Sequence, residues 1–212
     1  MRSDKLLENS RIYFDGVAAK GEQIDEPVLC YEETLRYLEG HVHGCVLDLG
    51  CGTGEMLVRL AERYPDLKLT GADLSPASLE VAKKKLRPCD RLIEADAQHL
   101  PFEDASFDEL LCMHSFHHYP HPKRVMKEIR RVLREDGLFY LVENDYPFFF
   151  RTYVNFSFVV KRHPQGDRWM YSPRKLVRMG KRAGLELIET RPMAAHSRIF
   201  IMKRSAAEKE KR

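Results

Sequence analysis

Apolar and polar positions follow two rhythms along this chain. Short apolar runs of strand length stand at 45–49, 67–73, 91–95, 107–113 and 138–142. Between them lie longer stretches in which apolar residues recur every three to four positions, the signature of helices with one buried face. The first such helix is expected over 25–39, with Val28, Tyr31, Leu35 and Leu38 on one side and Glu32, Glu33, Arg36 and Glu39 on the other, ending at Gly40. Residues 1–25 carry only weak periodicity around Leu6, Leu7, Ile12, Tyr13 and Phe14.

Punctuation sharpens these boundaries. A helix after Gly54 closes near Tyr64 at Pro65, and Ser75-Pro76 supplies an N-cap and a first helical residue for the next, which runs to about Leu86. Pro122 opens a helix with Val125, Met126, Ile129, Val132 and Leu133 on its apolar face and Arg130, Arg131 and Arg134 near its end, where Gly137 is expected to stop it. Ser172-Pro173 begins another, stopped by Gly184, and strands follow at 185–190 and 198–203. Alternation of strand and helix predicts an α/β fold, a doubly wound and mostly parallel sheet covered on both faces. The gap between the last two strands is too short for a crossover helix, so they are expected to pair antiparallel.

One stretch breaks the rhythm in a chemically telling way. Asp48-Leu49-Gly50-Cys51-Gly52-Thr53-Gly54 places three glycines between a buried strand and an amphipathic helix. Glycines there let the backbone turn sharply and approach a ligand, while the helix N-terminus offers unsatisfied N–H groups. A dinucleotide fingerprint needs glycine at position 55, where Glu55 stands, and a carboxylate beside a pyrophosphate repels it whereas a cationic ligand tolerates it. Ligands of doubly wound sheets bind at the carboxyl ends of the strands, and Asp48, Asp73, Asp96 and His114 all fall at or just after such ends.

The pattern Asp48-x-Gly50-x-Gly52-x-Gly54 resembles the first motif of class I S-adenosylmethionine-dependent methyltransferases. Gly71-Ala72-Asp73-Leu74 resembles their second motif, and Glu94-Ala95-Asp96-Ala97 the next. Pro101-Phe102 with Ser106-Phe107-Asp108, and Arg131-Val132-Leu133 with Gly137, extend the likeness to the type 11 family, which includes ubiquinone and menaquinone biosynthesis enzymes. One departure is the turn before the fifth strand, Arg134-Glu135-Asp136-Gly137, where the family usually has Lys-Pro-Gly-Gly. The resemblance implies a seven-stranded sheet of order 3-2-1-4-5-7-6 with the last strand antiparallel, and S-adenosylmethionine as cofactor. It implies cofactor contacts from Asp48, Gly50, Cys51, Gly52 and Gly54, from Asp73 to the ribose hydroxyls, and from Leu74, Asp96 and Ala97 to the adenine. His114 is grouped with them, and Tyr13, beside Phe14, is expected to close over the cofactor from the opposite side.

Histidines cluster at His114, His117, His118 and His121. Their spacing lacks the carboxylate or cysteine partners of a metal site, so no metal is expected. His118 and His117 are the catalytic candidates, as a general base or a substrate contact, against the plainer alternative that His118 packs the loop. Methyl transfer itself needs little acid–base help once donor and acceptor are aligned in a dry site. Residues 146–171 hold nine aromatics, among them Phe148-Phe149-Phe150 and Trp169, and suit a substrate lid or equally a dimer face or buried helix.

Composition narrows the rest. The 212 residues suit a single domain with an N-terminal helical cap over 1–40 and the aromatic insert over 146–171. A net charge of +3 is too small to argue for nucleic acid or an anionic membrane surface, no apolar run reaches the ~20 residues of a membrane span, and the first residues lack the apolar core of a signal peptide. Five cysteines without a C-x-x-C pair point to a reducing, cytoplasmic setting. The expected function is methyl transfer to a small, hydrophobic or aromatic acceptor by a monomer or homodimer. A catalytically silent S-adenosylmethionine-binding partner or sensor is the alternative, and action on nucleic acid or protein is less favoured.

Overall fold

Seven strands form one sheet: β1 (Cys45–Leu49), β2 (Lys68–Asp73), β3 (Arg91–Glu94), β4 (Phe107–Met113), β5 (Leu133–Asn144), β6 (Leu185–Met193) and β7 (Ser197–Arg204). Their spatial order is 3-2-1-4-5-7-6. The first five strands pair in parallel, and β7 runs antiparallel to both β5 and β6. The computed structural model describes residues 2–20, 28–88, 90–161 and 169–205. Among the described residues, the α-helices are α1 (Arg2–Ala19), α2 (Val28–Leu38), α3 (Glu55–Arg63), α4 (Pro76–Lys83), α5 (Pro122–Val132), α6 (Phe148–Lys161) and α7 (Pro173–Ala183). The opening positions of the helix expected over 25–39, residues 25–27, lie outside the described residues.

Period-two alternation in the strands splits the core into two layers. Leu47, Leu110, Cys112, Phe139, Leu141 and Phe200 face one side, where α5 and α7 bring Val125, Ile129, Leu176 and Met179. Val46, Leu69, Leu111, Tyr140, Val142 and Ile201 face the other, against Leu35 and Leu38 of α2 and Leu57 and Leu60 of α3. The caps act as expected: Ser75 Oγ accepts from Ser78 N, Ser172 Oγ accepts from Lys175 N, and Gly184 takes the left-handed conformation after α7. The weakly periodic N-terminus is an 18-residue helix, α1.

The structure corrects one boundary. Helix α5 stops at Val132 rather than at Gly137, and Leu133 already belongs to β5, opposite Phe107. The helix's last carbonyls, Arg131 O and Val132 O, accept from Ala105 N and Ser106 N, so the preceding loop terminates it. Gly137 is therefore a strand residue without a left-handed backbone, and a Cβ there would lie 2.7 Å from Asp108 O. Close approach of β5 to β4, not capping, requires glycine at this position.

Candidate functional site

Over the carboxyl ends of β1 to β5 opens a cavity of about 810 Å³. The β1–α3 loop forms its floor. Gly50 and Gly52 have φ of +77° and +51°, a region that L side chains avoid. A Cβ on Gly50 would collide with Ser115 Oγ, whereas one on Gly52 would meet no protein atom within 4 Å. Gly52 thus borders open space that a ligand can enter. Asp73, at the end of β2, ties the loop down: its Oδ2 accepts from Gly52 N at 2.8 Å and its Oδ1 from Ser75 N at 2.9 Å. Burial raises the Asp73 carboxyl above its ordinary value, although these two backbone bonds pull the other way.

Helix α1 roofs the cavity with Ser10, Tyr13, Phe14 and Val17. Asp15 fastens it. Its Oδ1 accepts from Ser75 Oγ at 2.6 Å and from Ala77 N at 3.3 Å, so a carboxylate of α1 sits on the N-terminus of α4. Phe14 packs edge-on against His118 with ring centroids 5.0 Å apart.

At the opposite wall stands a buried histidine–carboxylate pair. His117 lies in a single turn of 3-10 helix, Phe116–His118, just past β4, and its Nδ1 is 2.9 Å from Glu143 Oε2 and 3.1 Å from Oε1. Burial pushes the Glu143 carboxyl up, but the charge and hydrogen bond of His117 outweigh it and hold it below the ordinary range. Nδ1 is then the protonated nitrogen, which makes Nε2 the basic one in the neutral ring. The His118 ring lies 4.1 Å from that of His117, tilted by 42°. His114, with φ of +47°, lies 3.4 Å from Ser197 Oγ, and burial lowers its pKa.

Asp48, Gly50, Cys51, Gly52, Asp73, Leu74, Asp96, Ala97, Tyr13, His114, His117 and His118 all line this cavity. Gly54 does not, contrary to expectation. It has φ of +81° and its Cβ position is 3.0 Å from Ala82 Cβ, so its place is the packing of α3 against α4. His121 stands at the start of α5, away from the cavity. Of the insert, Tyr146 and Met170 reach the cavity, Tyr171 is buried in the core, and Trp169 lies under Lys175 Nζ. Glu143, just past the fifth strand, and Asp15, beside Tyr13 and Phe14, are placed near the mouth by sequence order alone, but their partners, His117 and the N-terminus of α4, were not disclosed by it. A carboxylate ending the apolar run of β5, one place beyond the Val142–Met113 pairing, was the available sign for Glu143.

The lining suits a cation. Asp48, Asp73 and Asp96 surround the floor, and burial, followed by the charges of Asp73 and Asp48, raises the Cys51 thiol so that it stays neutral. Glu55, the residue that argued against a dinucleotide, is engaged by Lys85 and Arg59. An adenosyl sulfonium fits this donor set: carboxylates for ribose hydroxyls and adenine amine, and a bare glycine backbone for close approach.

Comparison with known proteins agrees. Residues 47–141 match the family model described as a methyltransferase domain, type 11. Malonyl-[acyl-carrier protein] O-methyltransferase of Geobacter sulfurreducens is 38% identical over 59% of this chain and 46% of its own length. Demethylmenaquinone methyltransferase of Thermotoga maritima is 35% identical over 52% of this chain and 53% of its own. The chain thus spans about half the length of the curated relatives it matches. The protein solved in complex with the Trm112 methyltransferase activator of Haloferax volcanii superposes with a TM-score of 0.76 at 22% identity, over 91% of this chain and 98% of that one. Sheet order, glycine loop and family match together assign residues 47–141 to the type 11 family of class I S-adenosylmethionine-dependent methyltransferases.

Proposed function

We propose that the protein transfers a methyl group to a small, largely apolar acceptor that presents an ionisable hydroxyl. S-adenosylmethionine supplies a methyl group activated by its sulfonium. The Gly50–Gly52 loop, Asp73 and Asp96 with Leu74 and Ala97 would hold that cofactor, under the roof of Tyr13 and Phe14. The acceptor end of the cavity is bounded by His117, His118, Tyr146, Met170 and His196. The His117–Glu143 pair carries this reading. Glu143 is the positioning residue that fixes the imidazole tautomer, and His117 Nε2 takes the acceptor's proton, leaving an oxygen anion in line for the methyl group. Aromatic and aliphatic walls exclude water from the transfer. Two relatives are named for demethylmenaquinone and for a sterol, ring-bearing apolar molecules of the kind this cavity would admit.

The test is formation of S-adenosylhomocysteine from a panel of phenols, hydroquinones and fatty carboxylates. His117→Ala and Glu143→Gln should each reduce turnover of an accepted phenol by roughly 10²-fold or more. Cofactor affinity, measured by calorimetry, should change little. Turnover undiminished in both variants would remove the dyad from the chemistry. Cofactor binding without product from any acceptor would favour the silent binding protein.

A further inference from the structure

Helix α6 wears its amphipathic character inside out. The side toward the protein is polar: Arg151 Nη1 donates to Tyr146 O at 3.1 Å. Buried Asn155 clamps the backbone of Met170, donating from Nδ2 to its carbonyl at 3.1 Å and accepting from its N–H at 2.8 Å. The outer side is aromatic. Phe149, Tyr153 and Phe156 are 84%, 69% and 67% exposed at spacings of four and three residues, one continuous stripe, with exposed Phe148 beside it. A lone exposed phenylalanine is ordinary, but a contiguous stripe of them marks an interaction surface.

Charge identifies what the stripe meets. Residues 146–184 contain nine lysines and arginines and a single acidic residue, Asp167, while the whole chain carries only +3. Basic charge is therefore concentrated in this segment. Arg174, Lys175 and Arg178 of α7 are exposed, and Lys175 Nζ lies 5.2 Å over the ring of half-exposed Trp169, next to the Met170 backbone that Asn155 clamps to α6. An aromatic helix face bordered by cations is the composition of a helix lying in a lipid headgroup layer.

We propose that the outer face of α6, with Trp169 and the exposed cations of α7, seats the protein on a membrane surface rich in anionic lipid. Two-fold pairing of this face with a second copy would bring like charges together. A single-stranded nucleic acid would need cations interleaved with the stacking rings, and between Phe149 and Phe156 the exposed residues are Phe150, Thr152 and Tyr153, none of them a cation. The face adjoins the cavity: the Phe150 ring packs against Tyr146 at 4.8 Å between centroids, and Tyr146 lines the wall. Where the proposed acceptor chemistry holds, an apolar acceptor would thus pass from lipid into the cavity along Tyr146. Surface binding itself does not depend on that chemistry.

The experiment is co-sedimentation of the full chain, without cofactor or acceptor, with phosphatidylcholine vesicles and with phosphatidylcholine–phosphatidylglycerol vesicles. The protein should partition onto the mixed vesicles, release as salt is raised, and shift its Trp169 emission to shorter wavelength on binding. Phe149→Ser/Tyr153→Ser/Phe156→Ser should lower partitioning at least about tenfold while leaving circular dichroism and S-adenosylmethionine binding intact. Lys175→Glu/Arg178→Glu should lower it on mixed vesicles only. No partitioning of the unaltered chain, partitioning indifferent to phosphatidylglycerol and salt, or a triple variant that binds as the parent does would overturn the proposal. So would indifference to vesicles with a concentration-dependent dimer that the triple variant abolishes, or with retention of a labelled single-stranded oligonucleotide. Loss of methyl transfer with vesicle binding intact would count against the acceptor chemistry alone.

Discussion

Glu109 is a carboxyl in the wrong place for a charge, and its cost should be measurable. It lies in β4 with its side chain 1% exposed, and its Oε2 meets no hydrogen-bond partner among the described residues. Around it stand Tyr140, which hydrogen-bonds it, Asp108, whose charge repels it, and His43, whose Nδ1 lies 3.4 Å from Oε1 but whose side chain is 69% exposed to water. Burial, opposed by Tyr140 and aided by Asp108, raises its pKa from 4.5 to about 8. Between those values the folded protein holds a proton that the unfolded chain releases, so stability must fall as pH rises through this window. At roughly 1.4 kcal/mol per unit, the loss between about pH 5 and pH 8 approaches 3–4 kcal/mol. Glu109→Gln removes the titration. Urea unfolding of both proteins across this range should show the variant gaining on the parent by that amount. With m near 3 kcal/mol per molar, the gain is a midpoint shift of about 1 M. A constant difference at every pH would mean that Glu109 is already ionised in the folded state and would refute its raised pKa.

Gly52→Ala should cost about 1–2 kcal/mol of stability from its positive φ, yet lower S-adenosylmethionine affinity at least tenfold by filling ligand space; undiminished affinity in calorimetry would refute the loop's role. Asp73→Ala should weaken S-adenosylhomocysteine binding by about 1.5–3 kcal/mol and a 2′,3′-dideoxy analogue far less. Equal losses for both ligands would leave Asp73 with only its bonds to Gly52 N and Ser75 N. Gly137→Ala should destabilise by roughly 1–3 kcal/mol through contact with Asp108 O, with cofactor affinity unchanged; an unaltered melting temperature would show that β4 and β5 can part to admit the methyl group.

Local signals in this chain determined the elements and the floor of the site. Apolar runs of strand length, Ser-Pro caps and glycines between strand and helix act over a few residues, so their consequences for Asp48, Gly52, Asp73 and Asp96 are written in neighbouring positions. Even there the environment overruled local reading twice: Gly137 resembled a helix stop and Gly54 a ligand contact, yet each is glycine because another element packs close. The rest depended on partners distant in sequence. His117 was a candidate base by its sequence position, but it stands apart from His118 only because parallel pairing of β4 with β5 brings Glu143 beside it, 26 residues on. Asp15 latches the roof by capping a helix some 60 residues away. The aromatic insert could be read equally as lid, core or interface, since aromatics serve all three. Only the side on which Asn155 faces inward decided that Phe149, Tyr153 and Phe156 face out, because burial is a property of the folded surface and not of the residue alone.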